Sequence, residues 1–360
     1  MWTNSRFNLT RVRVFLLATA TATSMITTIA QAADTELVTA GFGKVKIGGL
    51  FQIWTLDDTG APADTNTNFR MRRAEVKING TVDPKIRWFV MFDPAKSIAV
   101  GTGAAPGDNK ILQDLGIVYT VMPDFELMVG QFKVITTAEG LDSSGELLFP
   151  ERAFVTRNYG DRREPGAEIN YDNKTLQVRI MASNGQPNPG NPGTNTSSQA
   201  STNVNDNNNA KDVAARIDYK LLEGLKLGAF YNQSAMTTGT GQRWGANVGA
   251  EIEKLNFRAE AVTAKELDIE RMGLAADAAY KITDEWQPAF RYETFQQMTS
   301  NEFTADAMTL GINYYLEGKH AKIQLAGTLM HNMNGNQGTY LATSTPKDGT
   351  VVVLNVQAAL

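Results

Sequence analysis

Two dense groups of arginines are the residues of this chain that are best suited to act on a ligand. One group lies around residue 72, and the other follows residue 150. Their members are Arg70, Arg72, Arg73, Arg152, Arg157, Arg162 and Arg163. Positive charge concentrated in a narrow, poorly solvated passage raises the local concentration of anions, and a ring of arginines or lysines is one way to build an anion pore. The two groups therefore predict an anion-guiding constriction, provided that the surrounding elements form a passage.

The segments around the arginines alternate in hydrophobicity with the two-residue period of a β-strand. After the first forty or so residues, about sixteen such segments follow one another, and their connectors switch between tight turns and long polar loops, as in a transmembrane β-barrel. Tight connectors include Val82-Asp83-Pro84 and Leu222-Glu223-Gly224. Long connectors are predicted at 57–68, 94–110, 133–165, 184–211, 234–242, 296–304 and 332–349, with a shorter one near 265. The pattern predicts an all-β fold, a 16-stranded antiparallel transmembrane β-barrel with short periplasmic turns and long external loops.

Each predicted strand has one face suited to lipid and one suited to water. In segment 176–183, for example, Leu176 and Ile180 share one face, and Gln177 and Arg179 share the other. Aromatic residues gather near strand ends, where amphipathic rings are expected to form two girdles at the bilayer interfaces. The candidates are Trp54, Trp88, Phe92, Tyr119, Phe125, Tyr171, Tyr219, Phe230, Tyr231, Trp286 and Tyr314.

The predicted water face carries charges of both signs. Alternation places Arg73, Arg87 and Asp93 on it, within a wall of about twelve basic and about ten acidic side chains. A balanced wall of solvated charges contributes little through any single ion pair, so selectivity must come from local clusters. Arg70 and Arg72 alternate to the outer face near an external strand end, where binding of lipopolysaccharide phosphates is the alternative to a role in the pore.

The N-terminus has the pattern of a secretory signal peptide. Three arginines precede the apolar stretch Val14–Ile29, and the small-residue triplet Ala30-Gln31-Ala32 follows it. We predict that residues 1–32 are removed on export and that residues 33–360 form a single outer-membrane β-barrel domain. No later apolar run reaches the ~18 residues of a spanning helix, so strands would have to hold the chain in the membrane.

Composition excludes several classes of function. The formal net charge of −4 becomes −7 without the three arginines of the signal peptide, which leaves no basic footprint for nucleic acid. The absence of cysteine excludes disulfides and thiolate metal sites and suits export through an oxidising periplasm. No Walker loop, dinucleotide fingerprint or paired metal-ligand motif is present, so no cofactor and no metal is expected.

Residues for covalent catalysis are scarce. The chain has only two histidines, His320 and His331, and lacks a G-x-S-x-G elbow. We therefore do not expect an enzyme. An outer-membrane phospholipase or protease type of barrel remains an alternative function, as does an envelope tether or adhesin.

Four landmarks between Phe69 and Arg163 resemble the phosphate-selective porin O and P family. They are Phe69-Arg70-Met71-Arg72-Arg73-Ala74, Phe92-Asp93, Gly130-Gln131-Phe132-Lys133 and Phe149-Pro150-Glu151-Arg152. The resemblance implies a trimeric outer-membrane channel for passive diffusion of small hydrophilic solutes and ions. Its third loop would fold into the lumen, and arginines and lysines would guide anions such as phosphate. Its partners would be outer-membrane lipid and lipopolysaccharide, small anions or other hydrophilic solutes, and further copies of the chain in a homotrimer.

The resemblance and the charge pattern together give a predicted pore constriction. Its residues are Arg72, Arg73, Arg87, Asp93, Lys133, Arg152 and Arg157. The first part of the third long loop, Val134–Leu148, carries Glu139, Asp142 and Glu146 and no basic residue. A phosphate-preferring pore, a weakly anion-preferring pore and a mixed-charge channel for other small solutes all remain open at this point.

Overall fold

Alternating apolar and polar residues form long antiparallel strands throughout the chain. The computed structural model describes residues 35–38, 43–58, 67–97, 111–185, 210–236, 239–266, 269–298, 302–333 and 347–360. The strands in these ranges are β1 (Thr35–Val38), β2 (Lys44–Asp58), β3 (Thr67–Asp83), β4 (Ile86–Phe92), β5 (Leu112–Met122), β6 (Phe125–Lys133), β7 (Arg163–Asp172), β8 (Leu176–Ser183), β9 (Asp212–Leu222), β10 (Leu225–Met236), β11 (Gly239–Ile252), β12 (Leu255–Glu266), β13 (Ile269–Tyr280), β14 (Trp286–Gln297), β15 (Phe303–Glu317), β16 (Ala321–Met333) and β17 (Lys347–Ala359). The helical segments are a 3-10 helix, Pro94–Ser97, and two short α-helices, Ala138–Leu141 and Phe154–Tyr159.

Strands β2 to β17 close into a barrel of sixteen strands. Each strand pairs antiparallel with the next along the chain, and β17 returns to pair with β2, from Val351 opposite Asp58 to Ala359 opposite Leu50. The predicted antiparallel 16-stranded barrel is confirmed. Strand β1 is an addition that the alternation pattern did not predict: it pairs with the start of β2, a stretch that β17 does not reach. The predicted signal peptide, residues 1–32, lies outside the described residues.

Two connectors that we predicted to be long are short. Strand β10 ends at Met236 and β11 begins at Gly239, and β14 ends at Gln297 only a few residues before β15 begins at Phe303. Polar side chains continue on both strand faces at these ends, as in the pair of Gln233 with Gln242. The hydrophobic alternation therefore ends before the backbone hydrogen bonds between the strands do. A prediction from alternation consequently starts the loop too early in the sequence.

The two faces of the wall differ as predicted. Ile180, Ile217 and Leu310 are among the large apolar side chains exposed on the outside, whereas buried polar side chains such as Arg216 and Asp277 point inward. None of the helices within the described ranges is long and apolar enough to cross a membrane.

Two aromatic residues do not belong to the predicted girdles. Trp54 is fully buried against Phe154 and Met330, and Phe230 is buried against Tyr159, all inside the barrel. Both residues lie on the same strand face as inward polar residues. The alternation of the strand therefore indicates their orientation better than their aromatic character does. Trp286 and Tyr314 lie on the outer face with ring centroids 4.6 Å apart.

A β-bulge in β3 corrects the predicted orientation of two arginines. Gln52 lies opposite Arg73 and Ile53 lies opposite Met71, so Arg72 is the extra residue of the pair. An extra residue moves each side chain that precedes it in the strand to the opposite face from the one that simple alternation predicts. Arg70, Arg72 and Arg73 therefore all face inward, and the prediction that Arg70 and Arg72 face lipid is wrong.

Candidate functional site

The barrel interior is occupied by one long connection. We call residues 134–162, which join β6 to β7, loop 3. Apolar side chains of loop 3 enter four buried clusters with inward residues of the wall. Phe154 packs against β2 and β15–β17, Val155 and Tyr159 against β10 and β12–β14, Ile135 against β8 and β9, and Phe149 against β13, β14 and β16. Loop 3 therefore packs against the wall on several sides, which fixes how much of the lumen stays open.

The acidic residues of loop 3 are neutralised by basic residues of the wall. Glu139 Oε1 lies 2.6 Å from Arg291 Nη2 and 3.1 Å from Arg258 Nη2, and Asp142 Oδ2 lies 2.6 Å from Arg258 Nη1. Burial raises the pKa of Asp142, although Arg258 acts against this. These pairs offset the negative charge that made an anion-guiding loop doubtful from the sequence.

Wall side chains also satisfy the backbone carbonyls at the tip of the loop. Gln52 Nε2 donates to Ser144 O at 3.2 Å, Gln357 Nε2 donates to Gly145 O at 3.0 Å, and Lys322 Nζ donates to Leu147 O at 2.8 Å. Buried carbonyls cost free energy when they lack donors. The tip is therefore held against β16, β17 and β2, the strands around the closure of the barrel.

Glu151 is the hub of the inward arginine group. Its Oε2 atom lies 2.5 Å from Arg72 Nη2 and 3.8 Å from Arg157 Nη1, and its Oε1 atom lies 3.2 Å from Arg73 Nη2. Burial alone would raise the pKa of Glu151, but Arg72, Arg157 and Arg73 lower it well below its ordinary value. One carboxylate thus faces three guanidinium groups, and two positive charges remain in surplus.

Arg72 and Arg70 also flank an aromatic ring. The guanidinium carbons lie 5.3 Å and 6.0 Å from the centre of the Trp54 ring. Cations over an indole face are stabilised by its quadrupole. The ring therefore helps to hold these two positive charges on the inner wall.

A second carboxylate, Asp161, organises the remaining cations. Arg152 Nη1 lies 3.5 Å from Asp161 Oδ1. Burial alone would raise the pKa of Asp161, but Arg152, Arg163 and Lys133 lower it well below its ordinary value. Lys133 Nζ itself donates to Asp142 O at 2.6 Å and to Leu141 O at 3.3 Å.

The other two predicted constriction residues have different surroundings. Asp93 is buried at the end of β4 and accepts a hydrogen bond from Ala74 N at 2.9 Å, so it braces β3 beside the arginines. Arg87 lies six residues away, about 20 Å along β4, where it pairs with Glu126 at 2.5 Å and is 48% exposed. The structure brings Arg72, Arg73, Lys133, Arg152 and Arg157 together around loop 3 and leaves Arg87 at the turn end of the barrel.

Several residues of the site were missing from the prediction. Glu151, Asp161 and Lys96 contribute charge to it, and Arg163 pairs with Asp114 at 2.6 Å. Glu151 stands beside Arg152 in a landmark already noted, so the signal was present. Lys96 and Asp161 lie outside the strands, where no periodicity predicts the position of a side chain.

Two cavities flank the tip of loop 3. A small one of about 110 Å³ lies between Ser143 and Ser144 and the wall of β3–β5. A large one of about 1000 Å³ lies on the other side, toward the turns, and is lined by basic and acidic side chains including Lys226 and Lys281. In the described part of the chain, no group of three or more His, Asp or Glu residues is arranged to hold a metal ion.

The sequence matches a family model for phosphate-selective porin O and P over residues 45–359. The chain belongs to that porin family. No curated protein sequence matches it closely enough to count as a relative.

Solved structures share the fold at low sequence identity. An anion-selective porin from Comamonas acidovorans aligns with 88% of this chain and 100% of its own, with a TM-score of 0.64 and 12% identity. The outer membrane channel DcaP of Acinetobacter baumannii covers 90% of this chain and 99% of its own, with a TM-score of 0.62 and 12% identity. OmpT of Vibrio cholerae in its trimer form covers 89% and 100%, with a TM-score of 0.60 and 13% identity.

Family and fold together identify an outer-membrane porin that forms a channel. They point to a channel rather than to an enzyme, and the fold and family both correspond to the outer membrane. The selectivity of the channel then depends on the charges around loop 3.

Proposed function

We propose that this porin lets small hydrophilic solutes and ions diffuse passively across the outer membrane and prefers anions. Solutes pass between loop 3 and the wall of β3–β7, where the arginines and lysines around Glu151 and Asp161 lie. The observation that carries this proposal is the surplus of positive charge around Glu151, which has three arginine partners.

The charges of the whole site support the same preference. Eight cationic side chains lie beside five carboxylates along this wall. They are Arg72, Arg73, Lys77, Lys96, Lys133, Arg152, Arg157 and Arg163, with Glu75, Asp93, Asp114, Glu151 and Asp161. The chain as a whole carries a formal net charge of −4, so the excess of three positive charges is local. A local excess in a low-dielectric passage acts on ions more strongly than the net charge of a distant surface.

Similar structures support two proposals about the assembly and selectivity of the channel. The Vibrio cholerae protein has a trimer form and the Comamonas porin is anion-selective, which supports a homotrimer and an anion preference here. We further propose that residues 1–32 are a signal peptide removed on export. The outer face then contacts outer-membrane lipid and lipopolysaccharide.

Catalysis has no part in this proposal. A Ser-His arrangement would need a histidine within hydrogen-bond reach of a serine. His331 is 65% exposed, and its described partners are Asp306 at 3.3 Å and Asp348 at 3.9 Å.

The test is the reversal potential of the refolded full chain in a planar bilayer under a potassium chloride gradient. Anion preference gives a reversal potential shifted toward the chloride equilibrium value. A shift toward the potassium value contradicts the preference while leaving a channel in place. Addition of phosphate then distinguishes a phosphate-selective pore, in which phosphate reduces the chloride current, from a general anion pore, in which it has little effect.

A further inference from the structure

The cavity of about 110 Å³ beside the tip of loop 3 has a mixed lining. Charged side chains line it together with Phe89 and Met91 of β4 and with Ser143 and Ser144 of loop 3. A volume of this size holds a few water molecules or one small solute. Hydrated inorganic ions gain no favourable contact from an aromatic ring or a thioether. These two side chains therefore indicate a solute with an apolar part.

The charged part of the cavity carries one unbalanced positive charge. Lys77 pairs with Glu75 at 3.2 Å, and Arg163 pairs with Asp114 at 2.6 Å. Lys133 makes no ion pair with any described residue, and two loop-3 carbonyls take two of its three N–H donors. The third N–H donor of Lys133 and the net charge of +1 in the cavity suit one singly charged anion.

The apolar part is built into the wall. Phe89 and Met91 are alternate residues of β4 and share its inward face, and Met91 is buried. The Phe89 ring packs down onto β5 at Gly116, where a Cβ atom would lie 2.5 Å from the ring edge. A side chain on β5 at this point would push the ring away from the wall and narrow the cavity. Glycine at position 116 therefore leaves room for the Phe89 ring against the wall.

We propose that this cavity is a binding station for small monocarboxylates that carry a short apolar body. The carboxylate binds Lys133, and the hydrocarbon part packs on Phe89 and Met91. The proposal rests on the proposed function, because it assigns a solute class to one point of the same anion path. It differs from the phosphate preference in the family's name: a hydrated oxyanion gains nothing from the apolar wall, and a dianion exceeds the single unbalanced charge.

The apolar contact gives the proposal a measurable size. Each methylene group fully removed from water strengthens binding by up to about fourfold. In the unmodified channel, acetate, propionate and butyrate should therefore reduce the chloride current at progressively lower concentrations, by up to about fourfold per step. Phosphate should bind more weakly than butyrate. Equal or weakening block along the series, or tighter block by phosphate, overturns the proposal.

Variants locate the effect. Met91→Gln keeps the length of the side chain and removes its apolar character, so it should flatten the dependence on chain length. Met298→Gln, at an exposed position outside the cavity, should leave that dependence unchanged. If Met91→Gln fails to fold, the carboxylate series in the unmodified channel still decides the question. The potassium chloride reversal potential, measured on the same channels, shows separately whether the underlying anion preference holds.

Discussion

Glu293 Oε1 accepts a hydrogen bond from the backbone N–H of Phe154 at 2.5 Å, so a wall carboxylate caps a helix of loop 3. Glu260 does the same for Ala138, at 2.6 Å. Phe154 and Ala138 are the first residues of the two short helices, and neither helix has a side-chain cap of its own. Backbone N–H groups at a helix start need acceptors, and here strands β14 and β12 provide them.

Removal of these wall carboxylates should loosen loop 3 without opening the barrel. A hydrogen bond within a folded protein contributes about 0.5–1.5 kcal/mol. We expect Glu293→Ala and Glu260→Ala to increase the noise of the open-channel current in single-channel recordings, while far-UV circular dichroism stays that of a barrel. Glu251→Ala is the matched control, because Glu251 is an exposed wall glutamate whose side chain accepts a hydrogen bond from Asn256 and caps neither helix of loop 3. Quiet traces in both test variants would contradict the capping role.

The surplus charge at Glu151 gives a prediction for selectivity. Arg157 is the most distant of its three arginine partners, at 3.8 Å, so its loss should leave the closer pairs intact. We expect Arg157→Gln to move the reversal potential in a potassium chloride gradient toward the potassium value, because one positive charge leaves the passage. Arg87→Gln removes the same charge at the turn end of the wall and should move it less. Equal shifts in the two variants would mean that total lumen charge, and not the group around Glu151, sets selectivity.

Glu151 should also be important for folding. Its partners Arg72 and Arg73 are largely buried, and removal of one member of a buried ion pair typically costs about 3–5 kcal/mol. We expect Glu151→Gln to unfold at a clearly lower urea concentration in lipid vesicles, followed by tryptophan fluorescence. Glu126→Gln breaks the half-exposed pair with Arg87 and should cost less than about 1 kcal/mol. A midpoint for Glu151→Gln no lower than that of Glu126→Gln would show that the hub is dispensable.

Anion preference should depend on pH through Lys96. Lys96 keeps part of its side chain exposed, but the surrounding protein and the like charge of Arg163 together lower its pKa to about 8. Lysine is cationic below its pKa, so the site loses one positive charge as the pH rises through about 8, and the anion preference should fall there. Asp161 and Asp93 act in the opposite direction, and Arg72 in the same one.

The measurement is the reversal potential from about pH 6 to about pH 10. Lys96→Gln should start with the weaker anion preference and show a smaller change through pH 8 than the unmodified channel. An unmodified channel with a flat profile through this range would exclude Lys96 from the permeation path.

Sequence periodicity predicted the barrel because the strand signal repeats about sixteen times, and each repeat corrects errors in the others. It misplaced Arg72 and Arg70 because a single bulge between Gln52 and Ile53 reverses the parity of that strand end. This bulge leaves no mark in the composition, because the two residues that form it, Arg72 and Arg73, are both arginine. The alternation of one strand cannot reveal it, since the partner strand defines the register.

The candidate site was predictable only in part. Arg73 and Lys133 lie on strands, so alternation with the family landmarks placed them near the passage. The acidic residues of loop 3 were a poor guide to the charge that the loop presents to ions. Their partners Arg258 and Arg291 lie on β12 and β14, more than a hundred residues later. Charge in a loop says little about selectivity until the path of the loop across the lumen is known.

The apolar clusters between loop 3 and the wall set the cost of moving the loop. Phe230, Val262 and Ala264, with Ala305, Ala307 and Val353, would line the lumen if the loop withdrew. Their apolar surface would then return to water, at about 25 cal/mol for each Å² exposed. Loop 3 therefore supplies part of the hydrophobic core of the barrel, and its withdrawal is not a low-energy route to a wider pore.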